Sequence, residues 1–172
     1  MAITLVLGGA RSGKSRYAEE LAAKTKQHVV YVATAKIKDE AIAKRVSAHQ
    51  HDRPADWVTV ESPLALGAVL EQYAKSNTTV LVDCLTMWVT NLLCEQDAPL
   101  ALADQNTALF SALTSIDGEV IFVSNEVGMG IIPMGELTRD YVDIAGRLHQ
   151  DIAALAGKVV LVVAGLPMVL KG

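Results

Sequence analysis

The hydrophobic pattern of the chain alternates between two kinds of segment. Short runs rich in β-branched residues are continuously apolar, which is typical of strands that are covered on both faces of a sheet. The longer segments between them repeat their apolar residues with helical spacing. Strands are predicted at Ile3–Leu7, Val29–Ala33, Trp57–Val60, Thr79–Val82, Val120–Val123 and Val159–Ala164. Helices are predicted at Lys14–Lys24, Asp39–His49, Pro63–Lys75, Leu85–Cys94, Leu100–Thr114 and Glu136–Ala156.

The order of these segments predicts the fold class. Strand–helix alternation favours an α/β fold in which a mostly parallel sheet carries helices on both faces. Within it, Ser62 followed by Pro63 is expected to cap the third helix, and Gly157 is expected to end the last one. Because no linker or change of composition divides the chain, we expect residues 1–172 to form a single domain.

Composition and charge exclude several classes of protein. The 51% of hydrophobic and 20% of charged residues are near the globular average, so the chain is not expected to be disordered. Its longest apolar run, Val159–Leu170, is shorter than the about twenty residues of a membrane-spanning helix, and the N-terminus lacks a signal-peptide pattern. A net charge of −4 without a basic face argues against a nucleic-acid partner. We therefore expect a cytoplasmic protein that neither spans a membrane nor binds nucleic acid.

The cysteines and two loops complete the general picture. Cys84 and Cys94 form no CxxC pair and lie among apolar residues, so we expect reduced core thiols rather than a disulfide or a metal site. The loops Gln50–Asp56 and Glu126–Gly135 are not explained by folding alone. Glycine-rich segments beside the strand ends of an α/β sheet often bind ligands, although either loop is also compatible with an ordinary connector.

The segment at 8–15 fits the phosphate-binding pattern G-x-x-x-x-G-K-[ST] and lies in the required context, between the first predicted strand and the first predicted helix. Its glycines let successive backbone N–H groups point into one concavity, to which the helix N-terminus adds a partial positive charge. Lys14 can neutralise the β- and γ-phosphates, and the Ser15 hydroxyl can bind Mg²⁺. We therefore predict a nucleoside triphosphate site formed by Gly8, Gly9, Ala10, Arg11, Ser12, Gly13, Lys14 and Ser15.

A second ligand for the metal is predicted at Asp83. This residue directly follows the strand Thr79–Val82, so its carboxylate would emerge at the same sheet edge as the phosphate loop, in the Walker-B position. Asp83 can also cap the helix that follows, and the two interpretations are compatible. The segment Asn125–Gly128 lacks the N-K-x-D signature of regulatory GTPases, so a bound guanine would be recognised by other means.

Two histidines, His49 and His51, lie at the end of the second predicted helix. They are candidates for a metal site, but the i,i+2 spacing diverges on a helix and no third ligand is evident nearby. Solvated histidines are the simplest interpretation. Beside a nucleotide, however, neutral imidazole is a competent nucleophile toward phosphorus, and Arg53 could offset the phosphate charge. The residues alone leave these alternatives open, including which of the two imidazoles would react.

The motifs as a set resemble one family, the bifunctional adenosylcobinamide kinase/adenosylcobinamide-phosphate guanylyltransferase of cobalamin assembly. The resemblance extends over nearly the whole chain, and its most specific parts are the histidine block and the segment after the fifth predicted strand. The motifs are G-G-A-R-S-G-K-S at 8–15, A-T-A at 33–35, R-V-x-x-H-x-x-x-R-P at 45–54, W-x-T-x-E at 57–61, D-C-L-T-x-W-x-x-N-L-L at 83–93, N-E-V-G-x-G-I-x-P at 125–133 and an R-D…G-R segment at 139–147.

The resemblance implies two reactions on a RecA-like P-loop fold. ATP or GTP phosphorylates adenosylcobinamide, and GMP is then transferred from GTP to adenosylcobinamide phosphate through a guanylylated histidine, which falls on His49. It also implies Mg²⁺ as cofactor and assembly as a homotrimer. Apart from the loop at 8–15, the GTP contacts fall on Ala33, Thr34, Ala35, Gln50, His51, Asp52, Arg53, Glu61 and Asp83.

Two other functions are compatible with the same residues. A simple small-molecule kinase would use the phosphate loop without forming a covalent adduct on a histidine. A nucleotide-binding scaffold would bind GTP tightly without turnover. The glycine-rich loop at 126–135 favours an enzyme with a second substrate over the scaffold.

Overall fold

The computed structural model describes residues 2–36 and 54–172, and the statements below concern those residues. The strands are β1 (Ala2–Gly8), β2 (His28–Ala33), β3 (Val58–Glu61), β4 (Thr78–Asp83), β5 (Glu119–Asn125), β6 (Lys158–Val163) and β7 (Leu166–Lys171). The helices are α1 (Lys14–Lys24), α2 (Leu66–Tyr73), α3 (Leu85–Leu93), α4 (Ala98–Ser115) and α5 (Glu136–Leu155). The helix predicted at Asp39–His49 lies outside the described residues.

All seven strands join one sheet in the order β3-β2-β4-β5-β1-β6-β7. Every neighbouring pair is parallel except β6 and β7, which form an antiparallel hairpin. The parallel pairs bring the carboxyl ends of six strands to one edge of the sheet. Because the order is not sequential, β5 lies between β1, which leads into the phosphate loop, and β4, which ends at Asp83.

The sheet is covered on both faces, as the continuously apolar strands predicted. On β1, the side chains of Ile3 and Leu5 belong to the core under α2, α3, α4 and α5, whereas Val6 belongs to the core on the other face. That second core is covered by α1, through the fully buried Ala18 and Ala22. The mostly parallel α/β architecture expected from the sequence is therefore confirmed.

Strand β7 is not predicted by the sequence, in which Val159–Leu170 is one apolar run with a single predicted strand, Val159–Ala164. In the structure Ala164 and Gly165 form a turn, and the chain returns as Leu166–Lys171. Both turn residues have positive φ, 51° and 80°, which suits a tight hairpin. The β7 side chains are all exposed, so the alternation of buried and exposed positions that normally marks a strand is absent.

Three smaller expectations are corrected or refined. Ser62 and Pro63 do not cap a helix: α2 begins at Leu66, and the Ser62 N–H instead donates to the Ala33 carbonyl at 2.9 Å. Cys94 is an exposed thiol rather than a core residue, and it lies at the C-cap position, directly after the last residue of α3; both cysteines are free, as expected. Helix α5 ends just before Gly157, whose N–H donates to the Ile3 carbonyl at 3.0 Å. None of the described helices is long and apolar enough to cross a membrane.

Candidate nucleotide site

The loop between β1 and α1 curls around a small concavity. Gly13, at φ 93°, occupies the N-cap position of α1, and its carbonyl accepts a helical bond from the Tyr17 N–H at 3.0 Å. The Ser12 N–H donates to the Gly9 carbonyl at 3.2 Å, which closes a turn. Lys14 is 9% exposed, and its Nζ donates to the same Gly9 carbonyl at 3.3 Å. The lysine side chain is thus folded over the loop whose N–H groups are predicted to bind phosphate.

Two glycines of the phosphate-binding motif are closely approached by neighbouring backbone atoms. A Cβ at Gly8 would lie 2.6 Å from the Val162 carbonyl oxygen on the neighbouring β6. At Gly13 a Cβ would lie 3.2 Å from the Cα of Gly165, and the positive φ adds backbone strain for any other residue. The glycines of the motif are therefore required by close backbone approach as well as by conformation.

Asp83 lies at the same edge of the sheet as this loop. Register pairs Gly8 with Asn125 of β5, and β5 pairs Val123 with Asp83. The position is the one predicted for a metal-binding carboxylate. Asp83 does not cap α3, because the N-cap residue is Cys84 and no side-chain cap bond is formed.

The charges of Asp83 and Lys14 both act on the Cys84 thiol. Burial and, to a smaller extent, the Asp83 carboxylate raise the pKa of Cys84 to about 11, and the Lys14 charge opposes them. The carboxylate and the ammonium group therefore converge on one region beside the phosphate loop. Oxygen ligands from Asp83 and Ser15 suit a hard cation such as Mg²⁺.

The segment Ala33–Ala35, to which the resemblance assigned GTP contacts, follows β2 at this edge. Thr34 is fully buried, and its hydroxyl donates to the Cys84 carbonyl at 2.7 Å and accepts from the Cys84 N–H at 2.9 Å. Asn91 on α3 adds a bond from its Nδ2 to the Thr34 carbonyl at 2.7 Å. The side chain of Thr34 therefore holds the Asp83–Cys84 turn in place.

Glu61 lies far along the same edge. It is the exposed last residue of β3, paired in register with Ala33. Strands are about 4.8 Å apart, so the four steps from β1 to β3 put Glu61 about 19 Å from the phosphate loop. A phosphate held by the loop does not reach Glu61, and any shared role requires a different part of the nucleotide or a second site.

The other predicted contacts cannot be placed. His49, Gln50, His51, Asp52 and Arg53 lie outside the described residues. In the ranges 2–36 and 54–172, no group of three or more His, Cys, Asp or Glu side chains is arranged to hold a metal. The assignments of nucleophile and metal ligands stay predictions.

The glycine-rich loop after β5 begins beside the phosphate loop. The Glu126 N–H donates to the Gly8 carbonyl at 3.1 Å, and its Oε1 accepts from the Gly128 N–H at 2.8 Å. Further along, the loop exposes large apolar side chains, namely those of Met129, Ile131, Ile132 and Met134. The position of this loop suits a second substrate that approaches the nucleotide.

The sequence does not predict the contact between Ser124 and His149, which lies near the carboxyl edge of the sheet. The Nε2 atom of His149 on α5 lies 2.8 Å from the Oγ of Ser124 on β5. Burial lowers the pKa of His149, and the charge of Glu126 acts in the opposite direction. Neither residue lies in a segment that was identified as chemical, because a serine inside an apolar strand and a histidine within a long helix are ordinary sequence features.

Comparison with known families decides among the classes of protein that this geometry allows. A family model described as cobinamide kinase/cobinamide phosphate guanyltransferase matches residues 4–170. The chain belongs to this family. Family membership confirms the resemblance that the motifs predicted.

Two relatives illustrate how far the similarity extends. The chain is 52% identical over 168 residues to the "Bifunctional adenosylcobalamin biosynthesis protein CobP" of Pseudomonas aeruginosa, covering 98% of this chain and 96% of that protein. It is 40% identical over 179 residues to the "Bifunctional adenosylcobalamin biosynthesis protein CobU" of Escherichia coli, covering 97% and 98%. The similarity to both proteins is nearly full-length.

The fold of this chain is similar to that of two solved structures. An ATPase of a bacterial type III secretion system aligns with a TM-score of 0.55 at 9% identity, over 93% of this chain and 50% of that one. The RadB recombinase aligns with a TM-score of 0.51 at 16% identity, over 93% and 73%. These alignments confirm the predicted P-loop, RecA-like fold; at such low identity they bear on the fold alone.

Proposed function

We propose that this protein phosphorylates adenosylcobinamide with ATP or GTP and then transfers GMP from GTP to adenosylcobinamide phosphate. The products of the second reaction are adenosylcobinamide-GDP and pyrophosphate. The observation that carries the proposal is the family match over residues 4–170 in a chain with a complete phosphate loop at the sheet edge. The described residues supply a means of binding a triphosphate, and the glycine-rich loop offers a place for the second substrate.

In the kinase reaction, the backbone N–H groups at 8–15 hold the β- and γ-phosphates. The positive charge of Lys14 stabilises the negative charge that develops on the transferred phosphoryl group. Ser15 and Asp83 are proposed to hold Mg²⁺, which would neutralise charge on the β- and γ-oxygens when bound. The hydroxyl oxygen of adenosylcobinamide forms the new bond to the γ-phosphorus as the bond to the β–γ bridging oxygen breaks. The nucleoside diphosphate leaves, and the hydroxyl proton passes to water.

In the second reaction, His49 is proposed as the nucleophile. A neutral ring nitrogen bonds to the α-phosphorus of GTP while the bond to the α–β bridging oxygen breaks, so pyrophosphate leaves and GMP stays on the imidazole. An oxygen of adenosylcobinamide phosphate then bonds to the same phosphorus, and the P–N bond breaks, which regenerates neutral histidine. An imidazole with an ordinary pKa of about 6.5 is mostly neutral at pH 7, so little tuning is needed.

We also propose a homotrimer as the working assembly. The described surface exposes apolar side chains on β7, the edge strand of the sheet, among them Leu166 and Leu170. An exposed apolar edge strand is normally protected, and contact with another copy of the chain would provide that protection. Light scattering on the purified protein measures the assembly mass, and a monomer at micromolar concentration would contradict this part of the proposal.

The experiment that tests the covalent step uses GTP labelled at the α-phosphate. Wild-type protein should retain label that is released by acid and stable in alkali, as a phosphoramidate is. The His49→Ala variant should retain none, while His51→Ala, the matched control two residues away, should still be labelled. Absence of label on the wild type would reject the histidine intermediate, and label lost only in His51→Ala would reassign the nucleophile.

The same samples separate the two alternative functions. A kinase without a covalent intermediate transfers γ-label to adenosylcobinamide but carries no α-label on protein. A nucleotide-binding scaffold binds GTP without turnover when adenosylcobinamide and Mg²⁺ are supplied. Either result would contradict the proposed function, and the two differ in whether adenosylcobinamide is phosphorylated.

A further inference from the structure

A chain of hydroxyl groups joins helix α5 to the end of the central strand. The Asn125 N–H donates to Thr86 Oγ1 at 2.8 Å, and Thr86 Oγ1 lies 3.5 Å from Ser124 Oγ. Ser124 Oγ lies 2.8 Å from His149 Nε2. Ser124 is 1% exposed, so water does not replace these contacts. The four groups come from α3, β5 and α5, and the chain therefore ties both helices to the strand.

The contacts of this chain fit either direction of donation. A backbone N–H can only donate, so Thr86 Oγ1 accepts at that end. Between Thr86 and Ser124 either hydroxyl can be the donor. Ser124 donates to Nε2 when the imidazole carries its proton on Nδ1, and it accepts from Nε2 when that nitrogen is protonated. In both arrangements His149 is the partner that completes the chain.

The chain ends beside the phosphate loop. Asn125 is paired in register with Gly8, and the next residue, Glu126, donates its N–H to the Gly8 carbonyl. Strand β5 also lies between β1, which ends at Gly8, and β4, which ends at Asp83. Its carboxyl end therefore lies between the phosphate loop and the proposed metal ligand. A displacement of the backbone at Asn125 would be transmitted to both.

We propose that His149 is a positioning residue of the phosphoryl-transfer site: through its hydrogen bond with Ser124 it orients the Ser124 and Thr86 hydroxyls and so fixes the backbone at Asn125 beside the phosphate loop. The inference rests on the proposed kinase function for its consequence on rate. The hydrogen-bond arrangement itself is independent of that function.

The surroundings of His149 agree with a neutral ring. Burial lowers the pKa of His149, and the Glu126 charge opposes that shift. Tyr141 lies about two turns nearer the start of α5, and its hydroxyl interacts with Thr86. Its pKa is raised by burial, so it stays protonated and adds no charge near the chain.

The test compares two substitutions that differ in one property. His149→Gln keeps an acceptor that can reach Ser124, whereas His149→Leu has a similar volume and no acceptor. Gln150→Leu is the control, because Gln150 is exposed on the same helix. In His149→Leu we expect kcat for adenosylcobinamide phosphorylation to fall about tenfold, with the KM for nucleotide within about twofold, since misplacement affects transfer more than binding. His149→Gln should recover most of the rate.

One measurement does not depend on activity. Hydrogen exchange at the Asn125 amide should become faster in His149→Leu but not in Gln150→Leu. An unchanged Asn125 amide would overturn the inference. Equal kcat in His149→Leu and wild type would also overturn it. A wild type without kinase turnover but with the expected exchange would instead reject the proposed function.

Discussion

The backbone N–H of Gly165 donates to the carbonyl oxygen of Ser12 at 2.7 Å, which joins the β6–β7 turn to the phosphate loop. The same turn lies against Gly13, since a Cβ on Gly13 would be 3.2 Å from the Gly165 Cα. A hairpin that sequence reasoning did not find is thus part of the support for the predicted nucleotide site. Its contribution can be measured.

The Gly165→Ala substitution should weaken nucleotide binding. Gly165 has φ 80°, a conformation that costs an alanine roughly 1–2 kcal/mol, so the turn will relax and its bond to Ser12 will lengthen. We expect a Kd for GTP raised about threefold to tenfold, together with a lower unfolding free energy. Gly157→Ala is the control, because a Cβ there meets nothing within 4 Å. Calorimetric titration measures both variants, and equal affinities would show that the hairpin does not brace the loop.

The Lys14→Ala substitution tests whether both reactions use the phosphate loop. Loss of its charge should lower kcat of the kinase reaction by about a hundredfold or more, because the loop then lacks its cation for the transferred phosphoryl group. Arg16→Ala is the control, since the Arg16 side chain is 75% exposed. The α-label on protein is read in the same variant. Label retained at the wild-type level would indicate a separate GTP site for guanylyl transfer, nearer Glu61.

The Thr34→Val substitution tests the turn that carries Asp83. Valine has the shape of threonine but makes neither of the two hydrogen bonds to Cys84, and it leaves the Cys84 carbonyl and N–H without their partner. We expect the unfolding free energy to fall by about 1–3 kcal/mol. Thr59→Val on the exposed face of β3 should change it by less than about 0.5 kcal/mol. Urea denaturation of the two variants checks this, and equal midpoints would contradict the role assigned to Thr34.

The sequence predicted those strands, helices and loops that can be recognised from their own residues. The continuously apolar strands, the helical stripe of α5 and the glycine spacing at Gly8 and Gly13 each carry their own signal, and the fold class follows from their order. The role of Thr34 was not predictable, because it depends on a contact with Cys84 across fifty residues of chain. Strand β7 was missed since its side chains are all exposed, and His149 since its partner Ser124 lies on another element.

The two cysteines should differ in reactivity. Cys94 is exposed, whereas burial and the Asp83 charge raise the pKa of Cys84 to about 11. The thiolate is the reactive form, and at pH 8, below that pKa, Cys84 remains almost entirely the protonated thiol. A maleimide at pH 8 should therefore modify Cys94 first and Cys84 only slowly, and the unfolded protein should react at both. Mass spectrometry of the digested protein locates the label. Rapid labelling of the folded Cys94→Ser variant would show that Cys84 is accessible and ionised, contrary to the environment described beside Asp83.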